Sequence, residues 1–125
     1  MKTAKLLFGA CLATLVTPAM AQNMPLTTFL SKAEALNKKG PLALLSSDLG
    51  LLKREMQGSA NALKSERTAA LKAGRTPAYC PPNSTPMSSD EILSHFRSIP
   101  PAARSQMTTK DGFRSLMAKK HPCPR

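Results

Sequence analysis

The side chains able to do acid–base, nucleophilic or metal chemistry are few and scattered. Asp90 and Glu91 are the only adjacent carboxylates in the chain. A carboxylate pair is the mark of hydrolysis, but neighbouring residues on a helix do not face each other. Their place after two serines gives them a structural task instead. Ser88-Ser89-Asp90-Glu91 reads as a capping box, in which the Ser88 hydroxyl and the Glu91 carboxylate each take the other's backbone N–H. His95 lies three residues after Ile92 and four before Ile99, and reads as a packed or boundary histidine beside an apolar stripe. His121 precedes Pro122-Cys123 and reads as a surface histidine at a helix end. One such H-x-C pair is a poor metal pattern, because structural zinc takes four ligands. There is no G-x-S-x-G elbow and no glycine-rich phosphate cradle. No catalytic, cofactor-binding or metal site is assigned, and the chain reads as a non-enzyme.

Three cysteines are present, at 11, 80 and 123. Cys11 falls in what reads as a cleavable export signal covering residues 1–21. Lys2 and Lys5 supply its positive start, Leu6 to Val16 its apolar stretch, and Ala19-Met20-Ala21 a small-x-small cleavage site before Gln22. The apolar stretch is too short to span a bilayer, which takes about 20 residues. Its form is bacterial, which makes the periplasm the expected destination. In that oxidising compartment Cys80 and Cys123 are expected to pair. The rival reading, a reactive or metal-binding thiol, has only His121 nearby to support it.

Lys and Arg number 18 and Asp and Glu 7, for a net charge of +11 that falls to +9 once Lys2 and Lys5 leave with the signal. That charge would speed encounter with acidic proteins or anionic envelope polymers. The basic residues are nonetheless spread along the whole chain. Aromatics are sparse and there is no Trp, so the stacking platform of a single-strand nucleic-acid binder is missing. With 42% hydrophobic and 20% charged residues the chain is globular in composition, and its length suits one domain over residues 22–125.

The elements that must position these side chains are helical throughout. A first helix is expected over Thr28 to Lys39, capped by Thr27 or Thr28, with Leu26, Phe29, Leu30, Ala33 and Leu36 on one face and Gly40 as its stop. Pro41 to Ser46 then reads as a short helical turn, with Leu42, Leu44 and Leu45 against the core. Ser47 is expected to cap a second helix running to Ala73, with Leu49, Leu52, Met56, Ala60, Leu63 and Ala70 as its seam. Gly58-Ser59 is where a kink would fall. Four prolines in a Pro-rich loop over 75–87 forbid helix there. A third helix buries Ile92, Leu93, Phe96 and Ile99 and ends at Pro100-Pro101. A fourth starts near Thr108 or Thr109 and buries Phe113, Leu116 and Met117. The expected fold is all-α, a compact bundle of about four helices with one disulfide.

The C-terminal stretch also carries a resemblance. Tyr79-Cys80-Pro81-Pro82, the acidic capping turn, Ile92-Leu93, Phe96, Ile99-Pro100, then Phe113, Leu116 and His121-Pro122-Cys123 follow one order. This resembles the closing half of the small periplasmic immunity proteins that protect bacteria from type VI amidase effectors, the resistance-associated, Tai-like family. Cys80, Pro82, Pro122 and Cys123 are its pointed matches, and residues 23–78, with no cysteine, lie outside it. The resemblance implies a helical, disulfide-bonded periplasmic protein that works by binding another protein. Together these readings predict a non-catalytic, protein-binding periplasmic protein, immunity-like toward a secreted effector, with no cofactor and no nucleic-acid partner. The alternative is a basic envelope-associated structural or stress protein that binds anionic wall or lipid components.

Overall fold

The computed structural model describes residues 24–83 and 85–125. The export signal over 1–21, Cys11 and the cleavage boundary at Gln22 lie outside the described residues. Those described form an all-α fold. The elements are α1 (Leu26–Lys39), a 3-10 turn (Gly40–Leu45), α2 (Ser47–Lys72), α3 (Ser89–Ser98), the one-turn α4 (Pro101–Arg104) and α5 (Thr109–Lys120).

Helix α1 starts two residues earlier than the threonine cap suggests. Its N-cap is Pro25, which makes no side-chain cap. The orphan N–H of Leu26 is instead taken by the Met107 carbonyl at 2.9 Å, while Thr109 N–H donates to the Met24 carbonyl at 2.8 Å. Backbone from the far end of the chain does the capping, so no local cap residue is required. At the other end Gly40 adopts φ +56° with ψ −132°, a positive-φ conformation that only glycine takes readily, though not the left-handed helical one expected of the stop. Helix α2 is capped by Ser46 rather than Ser47, with the Ser46 hydroxyl accepting from Asp48 N–H. It then runs unbroken through Gly58-Ser59 for 26 residues, a rod of about 39 Å.

Helix α3 begins at Ser88 as expected, but only half of the capping box forms. Ser88 Oγ accepts from Glu91 N–H at 3.1 Å, whereas the Glu91 carboxylate takes Lys120 Nζ from α5. The complete capping box belongs to α5. There Thr108 Oγ1 accepts from Asp111 N–H and Asp111 accepts from Thr108 N–H. Pro100 and Pro101 end α3, and Pro101 then opens the short α4, where its missing N–H costs nothing.

The main core joins Leu26, Phe29, Leu30, Ala33 and Leu36 of α1 to Leu52 and Phe96. Phe29 and Phe96 meet edge to face at 5.7 Å, worth about 0.5–1.5 kcal/mol beyond their buried area. Gly112 of α5 sits against Leu26 and Phe96, where a β-carbon would lie 3.0–3.1 Å from their side-chain atoms. A second cluster of Leu63, Tyr79 and Met117 holds the end of α5 to α2. There Cys80 and Cys123 form the expected disulfide, with Cα atoms 4.8 Å apart. Cys80 N–H also donates to the His121 carbonyl at 2.8 Å, so the Pro-rich loop and the chain end are joined twice.

Candidate functional site

The residues with chemical potential do not converge. His95 Nε2 lies 2.7 Å from Ser115 Oγ, and burial together with the Lys119 charge lowers its pKa below the ordinary histidine range. It is a half-buried boundary histidine holding α3 to α5. His121 caps α5 and is half-buried rather than a surface residue, with a buried Nε2 that has no partner. Asp90 and Glu91 stay in the first turn of α3. Among the described residues no group of three His, Cys, Asp or Glu side chains is placed to hold a metal ion.

Two polar side chains are buried where an apolar seam was expected. Leu52, Glu55, Ser59, Leu63 and Ala70 are the buried line of α2, while Leu49, Met56 and Ala60 are only half-buried. The seam is therefore rotated from the one suggested by apolar spacing. Glu55, 3% exposed, accepts from Met24 N–H at 3.1 Å, and its burial raises the carboxyl pKa. Ser59 Oγ has no partner.

The acids that remain are mostly spent inside the molecule. Glu66 of α2 takes both Lys110 and Arg114 of α5, and Arg114 also takes Asp111. These pairs hold the Glu66 carboxyl below the ordinary carboxylate range. Further pairs join Lys32 to Asp48, Arg97 to Glu34 and Lys120 to Glu91. Among the described residues Lys38, Lys39, Lys53 and Arg54 form no ion pair and are exposed. Lys64, Arg67, Lys72, Arg75, Arg104, Lys119 and Arg125 are likewise outside any ion pair among the described residues, so the free positive charge is spread over the molecule, with Lys38 and Lys39 its share beside the turn between α1 and α2.

That turn departs most from the sequence reading. Leu42, Leu44 and Leu45 do not lie against the core but are 67%, 77% and 86% exposed. Only Ala43 packs inward. The 3-10 turn is too tight for all four side chains to face one way, and the smallest takes the inner place. The result is a leucine tip at the end of the α1–α2 hairpin, beside Lys38 and Lys39.

Behind the tip is a cleft of about 810 Å³. Phe29, Ala33 and Leu36 of α1 form one wall and Leu49, Leu52 and Met56 of α2 another. Ile92, Leu93 and Phe113 close it from α3 and α5. Ile92, Leu93, Leu49 and Phe113 were expected to be buried and are half-buried because they face this space. Its polar lining includes Asn37, Lys53, Gln57, Thr85 and Ser89, and among the described residues no carboxylate lines it. The tip and the cleft, rather than a constellation of reactive groups, are the features here that could engage another molecule. No protein-family model, curated protein or solved structure matches this chain.

Proposed function

We propose that this protein is a non-catalytic periplasmic binding protein whose docking surface is the leucine tip between α1 and α2. The observation that carries the reading is the exposure of Leu42, Leu44 and Leu45, consecutive in space and left uncovered by the fold. Large apolar side chains held together in water mark interaction sites far more often than isolated ones do. Lys38 and Lys39 beside the tip favour a partner with an apolar hollow and an acidic rim. A secreted effector whose active site the tip occludes is a partner of that kind, and it is the immunity-like role that the C-terminal resemblance implies. The periplasmic setting rests on the export signal read at residues 1–21 and agrees with the Cys80–Cys123 bond.

A second reading is a basic envelope-associated structural or stress protein that binds anionic wall or lipid components. The unpaired Lys38, Lys39, Lys53 and Arg54 favour it. Among the described residues no helix is long and apolar enough to cross a membrane, so such binding would be peripheral.

Affinity capture from periplasmic extract, followed by titration of the purified partner at two salt concentrations, separates the two. The protein-binding reading expects a saturable, stoichiometric complex that survives moderate salt and is lost in the double variant Leu44→Ser/Leu45→Ser. The envelope reading expects binding that collapses as salt rises, since exposed charges are screened within about 10 Å at 0.1 M.

A further inference from the structure

The cleft behind the leucine tip is a second candidate site, distinct in shape and chemistry from the exposed tip. Its volume of about 810 Å³ falls within the roughly 300–1,000 Å³ of small-molecule sites. Helix α2 lines it from Leu49 to Ala60, about 16 Å along the helix axis, so the space is a long trough. An extended chain suits such a trough better than a compact ring system. The walls are apolar, and Met56 and Met87 add flexible thioethers that adapt to an unbranched chain.

Among the described residues Lys53 is the only charged one that lines the trough. It is exposed and takes part in no ion pair among the described residues, so its ammonium is available. Asn37, Gln57 and Ser89 are also part of the lining and can supply hydrogen bonds to an oxygen-rich head group. Apolar walls with a single cation, no acid and a few neutral donors define the complementary ligand. We infer that the cleft binds a single-chain amphiphile, an unbranched hydrocarbon carrying one terminal anion that pairs with Lys53. A free fatty acid and an anionic lysophospholipid share that chemistry. The inference does not rest on the leucine tip, and either can fail without the other.

Isothermal titration of the mature protein with sodium laurate and with lauroyl lysophosphatidylglycerol, each below its micelle concentration, tests it and identifies the source of the anion. The expected result is one saturable site per chain for at least one of them. Among the fatty acids, affinity should rise about fourfold for each methylene added from octanoate to laurate. Dodecyltrimethylammonium, with the same chain and the opposite charge, should not saturate. Lys53→Gln, at an exposed position that leaves folding intact, should weaken binding about three- to fivefold. Ala60→Phe should block the trough, with retained helicity checked by circular dichroism. Leu44→Ser/Leu45→Ser should leave amphiphile binding unchanged. Failure of both anionic ligands, non-saturating uptake of either, equal binding of the cationic control, or loss of binding in the tip variant would overturn the assignment.

Discussion

Gly112 sets two effects of opposite sign against each other, and the structure decides which prevails. Glycine inside a helix costs about 1 kcal/mol relative to alanine, so Gly112→Ala should strengthen α5 when only helix propensity counts. A β-carbon at 112, however, would lie 3.0 Å from Leu26 Cδ2 and 3.1 Å from both Leu26 Cδ1 and Phe96 Cε1. Neither neighbour can give way easily. Both are completely buried, and the Leu26 backbone is tied to Met107 at 2.9 Å. Forcing an extra carbon into such packing costs about 1–3 kcal/mol, more than the propensity returns. The net expectation is a loss of about 1 kcal/mol, which for a domain of this size lowers Tm by about 4–8 °C. Gly50 supplies the contrast. Its nearest contact would be Arg54 Nη1 at 3.4 Å, the free end of a flexible side chain. Gly50→Ala should therefore gain about 0.5–1 kcal/mol. Thermal and urea unfolding of both variants, followed by circular dichroism, makes the comparison. Stabilisation by both substitutions would refute the argument, because it would mean that α5 and α1 are not closely packed at this point.

Other outcomes follow from the same contacts. Cys123→Ala opens a bridge of sequence separation 43, and loop-closure entropy gives about 4 kcal/mol for such a loop. Prolines 77, 81, 82, 122 and 124 already restrict the unfolded chain nearby, so a measured loss of about 2–4 kcal/mol is expected. The Cys80→Ala/Cys123→Ala double variant should lose no more than the single one, and an unfolding midpoint unmoved by reductant would contradict both statements. For Glu55, burial raises the folded carboxyl pKa above its unfolded value of 4.5, so the group's contribution to stability is full below pH 4.5 and is lost as pH rises through the folded pKa. Glu55→Gln, which can still accept from Met24 N–H, should compare more favourably with the parent protein at pH 7 than at pH 4 in paired urea titrations. Glu66 has the opposite sign, because Lys110 and Arg114 lower its pKa. Glu66→Gln should cost up to about 1 kcal/mol at pH 7 and less as pH falls below 4.5, read from the same titrations. Intact-mass measurement on protein recovered from the periplasm should place the mature N-terminus at Gln22, and a retained Cys11 would contradict it.

The legible parts of the fold were those with local causes. Gly40 stops α1, Ser88 opens α3 and the prolines keep 75–87 irregular, each through the conformation of a few consecutive residues. The pairing of Cys80 with Cys123 was readable because assigning Cys11 to the expected export signal leaves two thiols to pair. What escaped the sequence depends on distant partners. The start of α1 is set by Met107 and Thr109, and no residue near Leu26 announces that. The burial of Glu55 and Ser59 follows from where α2 turns its face: Leu52, Leu63 and Ala70 are buried as apolar spacing suggests, but between them the buried positions fall one residue before Met56 and Ala60. The candidate site escaped for a related reason. A leucine run after Gly-Pro looks like core, and only the packing of the other helices shows Leu42, Leu44 and Leu45 exposed. Likewise Ile92, Leu93 and Phe113 carry a buried-stripe pattern, yet the trough leaves them half-open.

The backbone seam between Met24-Leu26 and Met107-Thr109 also ties together residues from opposite ends of the described fold. Thr109 Oγ1 and N–H both reach back 85 residues to the Met24 carbonyl, and Phe29 of α1 packs on Phe96 of α3. Helix α1, the first of the described helices in sequence, takes its cap and its aromatic partner from residues between 96 and 109. Contacts so distant in sequence reward folding only after the intervening chain has been closed into a loop. Helix α1 therefore depends for its packing on Phe96 of α3 and on the backbone that opens α5, while the Cys80–Cys123 bond fastens the far end of α5 to the Pro-rich loop.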